Sequence, residues 1–160
     1  MNNKTYLILH NIRSVQNVGA IFRTADAAGI DKIYLTGYTP TPLDRFGRER
    51  SDVAKTALGA QKNIDWEYSK TVTSVINKLK KDKTEIIAVE QSSKAIDYKK
   101  VTIKKNTAFV FGNEVNGVQQ SVVDLCDVCI EIPQIGTKHS LNISVSIGVV
   151  LWDLFYKVNQ

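Results

Sequence analysis

Three polar segments of this 160-residue chain hold side chains able to stabilise charge, move a proton or cradle a ligand. The first is His10-Asn11-Ile12-Arg13-Ser14-Val15-Gln16-Asn17-Val18-Gly19-Ala20-Ile21-Phe22-Arg23. Its guanidinium at Arg23 stays protonated in a protein, so it suits a developing oxyanion or a phosphate better than proton abstraction. The second is Phe111-Gly112-Asn113-Glu114-Val115-Asn116-Gly117. A glycine directly after a strand lets a ligand approach the backbone. No Gly-Lys-Ser/Thr follows, and the dinucleotide fingerprint is absent, so this is not a standard phosphate loop. The third is Ile132-Pro133-Gln134-Ile135-Gly136-Thr137-Lys138-His139-Ser140-Leu141-Asn142. Each segment also has a plain structural explanation. Asn17 suits a helix cap, Arg23 a surface charge, and Gly117 a turn of positive φ. A lone histidine such as His139 beside a helix start is more often structural than catalytic. A cap explains one of Ser140 and Asn142 and leaves the other over. Asn17 and Arg23, six residues apart, do not share a helix face, but they could meet if Asn17 sits in the cap and Arg23 points back.

The elements that must position these groups follow from the hydrophobic pattern. Strands are expected at Tyr6–His10, Lys32–Thr36, Glu85–Val89, Thr107–Phe111 and Val128–Ile132, with a shorter one at Trp66–Tyr68. Helices are expected at Val18–Ala28, capped by Ser14 or Asn17 and closed by Gly29, and at Ser51–Leu58, Val72–Lys81, Val118–Leu125 and Ser140–Val158. Alternation of strands and helices argues for an α/β fold with a mainly parallel sheet. Ligands of such sheets bind beyond the carboxyl ends of the strands, which is where all three segments fall. No internal repeat or linker breaks the chain, so residues 1–160 read as one domain.

Composition narrows the class. An apolar fraction of 43% and a charged fraction of 23% are those of a soluble globular protein. No apolar run is long enough to cross a bilayer, and the start Met1-Asn2-Asn3-Lys4 lacks a signal peptide, so a cytoplasmic location is expected. Cys126 and Cys129 form an isolated Cys-x-x-Cys with no second ligand pair, which favours a structural role over a metal or redox one. The net charge is +5, which attracts polyanions without specifying one. Lysines cluster at Lys78, Lys80, Lys81 and Lys83 and again at Lys99, Lys100, Lys104 and Lys105, where solvated faces suffice. Arg45, Arg48 and Arg50 flank Phe46 and Gly47 in a segment with few apolar anchors, a pattern suited to phosphate contact.

Taken together, Asn17-Val18-Gly19-Ala20-Ile21-Phe22-Arg23-Thr24-Ala25-Asp26, then Phe111-Gly112-Asn113-Glu114-x-x-Gly117, then Ile132-Pro133-Gln134-x-Gly136-x-x-x-Ser140-Leu141-Asn142-Ile143-Ser144-Val145-Ser146 resemble the three signature motifs of the TrmH family in the SPOUT superfamily. Their order and spacing span almost the whole chain. Pro133-Gln134 stands where many members have Pro-Met, as in the family's transfer-RNA branch.

The resemblance implies a homodimer with a carboxyl-terminal trefoil knot and S-adenosylmethionine as the cofactor, with no metal. It also implies methyl transfer to a ribose 2′-hydroxyl of RNA, transfer RNA first and ribosomal RNA second, by a domain without a separate RNA-binding extension, so that Arg45, Arg48 and Arg50 are the expected RNA-binding residues. Carried over, Gly112, Ile132 and Leu141 hold the cofactor, with Val89 and Glu90 lining the same pocket. The resemblance assigns Arg23 the role of base, although its chemistry also suits a cation stabilising the developing alkoxide; Asn17 holds it by hydrogen bonding, and Glu114, Ser140 and Asn142 orient arginine, ribose and cofactor. The competing readings are a base-nitrogen methyltransferase of the same fold, a non-catalytic RNA-binding module, and a generic nucleotide-binding α/β domain.

Overall fold

The structure, a computed structural model, describes residues 3–158. Met1 and Asn2, on which the reading of the amino terminus drew, lie outside the described residues. Seven strands form one sheet: β1 (Thr5–His10), β2 (Lys32–Thr36), β3 (Asp65–Ser69), β4 (Glu85–Val89), β5 (Ile96–Asp97), β6 (Thr107–Phe111) and β7 (Val128–Glu131). Their spatial order is β3-β2-β1-β6-β4-β7-β5. Every pairing is parallel, with Leu9 opposite Leu35 on one side and Phe111 on the other, and Val89 opposite Ile130. The helices are α1 (Val15–Ala27), α2 (Ser51–Ala57), α3 (Val72–Lys81), α4 (Gln120–Val123) and α5 (Ile143–Val158).

Side chains alternate across a strand, and both sheet faces are covered here, so the central strands read as unbroken apolar runs. Leu7 and Leu9 of β1 point into one core with Ile33, Leu35, Phe109 and Ile130, under α1, α2 and α5. Ile8, between them, points into the other with Tyr34, Ile86 and Val110, under α3 and α4. The layers are therefore helix, sheet, helix.

Several boundaries depart from the pattern-based ones, each for a local reason. Helix α1 starts three residues earlier than expected because Ser14, not Asn17, is the cap: the Asn17 N–H donates to Ser14 Oγ at 3.1 Å. Helix α5 starts three residues later, because Asn142 Oδ1 accepts the Ser144 N–H at 2.9 Å and caps it there. Helix α4 is a single turn rather than two, since Gln119 has extended backbone and begins it late. Strand β5 has only two residues, too few for a period-two signal, and exists by pairing Ile96 with Ile130. Cys126 and Cys129 flank the turn from α4 into β7 as free thiols. Their Sγ atoms donate to the carbonyls of Val122 and Glu90, and burial pushes the Cys126 thiol up to about 12, which suits packing rather than redox chemistry.

Gly19 sets how closely α2 sits on α1. A Cβ there would lie 2.0 Å from Thr56 Oγ1 and 2.5 Å from the Val53 carbonyl oxygen. Alanine is favoured over glycine inside a helix by about 1 kcal/mol, but overpacking against backbone costs roughly 1–3 kcal/mol. Gly19→Ala is therefore expected to lower stability despite its better helix propensity. Chemical denaturation with an unchanged or raised midpoint would contradict this packing account.

Candidate active site

The loops leaving β4, β6 and β7 converge at the carboxyl edge of the sheet around a cavity of about 580 Å³. Its wall contains Val89 and Glu90 after β4, Gly112 and Glu114 after β6, and Ile132, Ser140, Leu141 and Asn142 after β7. Asn17 of α1 completes it. All the expected cofactor-binding positions thus face one space, together with every expected catalytic residue except Arg23.

The Gly112–Val118 loop is built by close backbone approach. A Cβ on Gly112 would lie 2.2 Å from the Gly117 carbonyl oxygen. Gly117 itself has φ +65°, and a Cβ there would strike Glu90 Oε2 at 1.9 Å. The Glu90 carboxylate instead accepts the N–H groups of Gln91 and Val118, at 2.8 and 2.7 Å, and so braces this loop from β4.

Glu114 is a hub. Its carboxylate accepts the N–H of Arg13 at 2.9 Å, the N–H of Ser14 at 3.0 Å and the Asn17 Nδ2–H at 3.2 Å. It therefore fixes the amino-terminal end of α1, where oriented amides favour an anion. Asn17 in turn accepts from Asn142 Nδ2 at 3.3 Å. A single polar chain links the loops after β1, β6 and β7.

Arg23 of the same chain takes no part in this polar chain. Within one chain the Asn17 side chain is engaged by Glu114 and Asn142 rather than by Arg23. Glu114 likewise bonds the start of α1 and Asn17, not the Arg23 of its own chain. The physical reason is helix geometry. Six residues at 3.6 per turn put Arg23 about 120° around α1 from Asn17. Arg23 is exposed and has no hydrogen-bond or ion-pair partner among the described residues. It lines a separate open groove with Lys55, Thr56, Gly148 and Trp152.

Some cavity residues had no assigned role in the sequence reading. Asn113 is 7% exposed. Its Oδ1 accepts the N–H groups of Val115 and Asn116, and its Nδ2 donates to the Asn11 carbonyl and to Tyr38 Oη, both at 3.0 Å. An asparagine opening a glycine-closed turn is a recognisable turn signal and could have been singled out. Gln91 donates to the His139 carbonyl at 2.7 Å and ties the β4 loop to the β7 loop, a contact with no local signature. His139 and Gln134 also line the cavity. Among the described residues no cluster of three histidine, cysteine, aspartate or glutamate side chains could hold a metal ion, and no helix is long and apolar enough to cross a membrane.

The arginine group lies in the loop after β2. Arg48 pairs with Asp44 at 2.9 Å and Arg50 with Asp52 at 2.8 Å, whereas Arg45 has no acidic partner among the described residues.

Burial works to raise the Glu114 carboxyl, but the amides of Ser14 and Arg13 outweigh it and hold the group below the ordinary carboxylate value. A depressed acid contributes stability that is fully present above its unfolded value, about pH 4.3, and is lost as pH falls through its folded value. Glu114→Gln is expected to cost about 1 kcal/mol near pH 7, a figure discounted because the carboxylate stays partly solvated. Denaturant titrations should show the gap between variant and parent close as pH falls below about 4; a gap that is constant with pH would remove Glu114 from this role.

The comparisons with known proteins agree with this geometry. A family model described as the SpoU rRNA Methylase family matches residues 4–152. A relative from Staphylococcus aureus (strain COL), named for the TrmH family of tRNA/rRNA methyltransferases, is 32% identical over 153 residues. The match takes in 96% of this chain, and the chain spans 59% of the length of that relative. An AdoMet-bound rRNA methyltransferase from Sinorhizobium meliloti superposes with a TM-score of 0.84 at 25% identity, over 96% of this chain and 56% of the other. A structure solved for the 2-OH methylation of C/U34 on tRNA superposes with a TM-score of 0.82 over 98% of this chain and 97% of its own, and at 20% identity that likeness concerns the fold alone. With the family model reaching from β1 into α5 and the motif loops gathered around one cavity, the chain belongs to the SpoU methylase family, the TrmH family of RNA methyltransferases.

Proposed function

We propose that this chain transfers a methyl group from S-adenosylmethionine to a ribose 2′-hydroxyl of RNA. Residues 1–160 would act as one catalytic unit in the cytoplasm. The observation that carries the reading is the sign of charge on the cavity wall. The chain as a whole is basic, at +5. Yet the cavity is lined by Glu90, Glu114 and Glu131 and by no lysine or arginine. Such a wall disfavours a phosphate-bearing cofactor and suits a ligand carrying a sulfonium and an ammonium group. Val89, Phe111, Ile132 and Ile143 supply apolar walls for an adenine. The volume of about 580 Å³ falls in the range of small-molecule sites, roughly 300–1,000 Å³. The Sinorhizobium meliloti protein with bound AdoMet supports the same cofactor. The reading includes the carboxyl-terminal trefoil knot of the family, holding residues 112–117 and 132–142 against one another.

S-adenosylmethionine, when bound, supplies a methyl group that is already activated. The protein must then align the hydroxyl and stabilise the charge that develops on it. Gly112, with its brace Glu90, shapes the backbone of the cofactor loop. Asn17 and Asn142 fix the cavity's rim. Ser140 makes no hydrogen bond among the described residues and remains available to the ribose. Arg23 acts as a protonated guanidinium that stabilises the developing alkoxide, and the hydroxyl proton leaves to solvent water as the methyl group is transferred.

Arg23 faces away from its own chain's cavity, so its role requires a second copy. The groove around it continues onto α5, where Val145 and Trp152 are 51% and 40% exposed. A second copy packed on this face would cover that apolar surface and bring Arg23 of one protomer to the cavity of the other. Arg23→Ala is expected to bind S-adenosylmethionine normally by calorimetry and to lose methyl transfer. Leu141→Arg, which fills the cavity, is expected to lose both. Co-expression of the two variants should restore roughly a quarter of the parental activity, from one intact site in each mixed dimer. No recovery would place Arg23 in its own chain's site or outside catalysis.

Transfer RNA is the proposed substrate class, on the resemblance of Ile130-Glu131-Ile132-Pro133-Gln134. Labelled S-adenosylmethionine with separated transfer and ribosomal RNA should mark the transfer RNA, with the methyl on ribose after nuclease digestion. Label on ribosomal RNA or on a base nitrogen would replace this assignment.

A further inference from the structure

The loop between β2 and α2 presents an aromatic ring in a way the methyl-transfer reading leaves unexplained. The Asp44 carboxylate accepts the N–H groups of Phe46 and Arg48, at 2.8 and 3.0 Å. The Asp44 N–H donates to the Arg48 carbonyl at 2.8 Å, and Gly47, at φ +76°, donates back to the Asp44 carbonyl at 2.9 Å. An antiparallel bridge between Leu43 and Glu49 closes the turn. Hydrogen bonding to these amides holds the Asp44 carboxyl below its ordinary value, so the turn is fixed near neutral pH. At its tip Phe46 is 67% exposed.

An exposed phenylalanine alone means little. Here two guanidinium groups lie against the ring, with the Cζ of Arg45 at 4.8 Å and that of Arg48 at 5.0 Å from its centroid. Arg48 is anchored by Asp44, while Arg45 has no acidic partner among the described residues. A flat apolar face beside uncompensated positive charge matches a flat aromatic ligand joined to an anion. The loop also leaves the sheet at the same carboxyl edge as the cavity, because all strands are parallel. Asn113 of the cavity donates to Tyr38 Oη at the loop's beginning.

We infer that Phe46 is a stacking platform for an unpaired base of the RNA substrate, with Arg45 holding the adjoining phosphate. This rests on the RNA methyl-transfer reading and adds a specificity to it. Bases in a duplex already have both faces covered, so the platform selects a single-stranded loop or a splayed nucleotide. Stacking tolerates any base, so it fixes position rather than sequence.

The test uses a short single-stranded RNA carrying 2-aminopurine, whose emission falls on stacking, together with methyl transfer to cellular RNA. Phe46→Leu keeps an apolar side chain but cannot stack. It is expected to bind about tenfold more weakly, to lose the quenching, and to keep the parental salt dependence. Phe46→Trp should restore both affinity and quenching. Arg45→Gln should keep the quenching and flatten the salt dependence by about one phosphate contact. If the parent methylates RNA but Phe46→Leu binds and quenches as the parent does, the platform is wrong while the methyl-transfer reading stands. If the parent neither binds nor methylates RNA, both fall. A change in sedimentation for Phe46→Leu with RNA binding unchanged would assign the ring to a protein contact and overturn the inference.

Discussion

Three donors from the start of α1 meet at the Glu114 carboxylate, and the candidate site depends on that meeting. Two are main-chain amides of Arg13 and Ser14, and the third is the side chain of Asn17. Glu114 belongs to the loop after β6, so its bonds join two strands' exits across the sheet edge. Asn17 passes the connection to Asn142, the cap of α5. Each bond alone is of modest net worth, because water competes for every partner. As a chain they hold three loops in one arrangement, which a ligand cavity needs before any ligand arrives.

The parallel sheet is what makes such a meeting possible. Every strand exits at the same edge, so loops far apart in sequence open onto a common space. Close backbone contact then narrows that space. Gly112 and Gly117 let the β6 loop fold back on itself, and Glu90 reaches from β4 to hold it. A side chain at either glycine would collide with backbone or with the Glu90 carboxylate. The glycine spacing is therefore a packing requirement that also produces the cavity wall.

Charge is distributed unevenly over this frame. The cavity wall is acidic, whereas the exposed loop after β2 carries Arg45, Arg48 and Arg50. The proposed methyl donor and the proposed RNA would therefore meet regions of different charge. Arg23 belongs to neither. It sits on the α1–α5 face beside Trp152 and Gly148, and so ties the proposed chemistry to the pairing of two chains.

The class of the fold was legible in the sequence because its signals are local. Apolar runs marked β1, β2, β4 and β6, and helical periodicity marked α1, α3 and α5. The loops that could bind a ligand were also visible, because ligands of a parallel sheet bind beyond the carboxyl ends of its strands, where the polar segments fall. Tertiary structure alone decided which atoms meet. It turned Asn17 toward Glu114 and Asn142 and turned Arg23 away, because side-chain direction depends on where α1 begins, and Ser14 set that start. It placed β6 between β1 and β4 and created β5 from two residues beside β7. Strand order and long-range hydrogen bonds rest on contacts between residues up to 125 positions apart. Local periodicity carries no record of such contacts, so the sequence specified the parts and their exits while packing chose the partners.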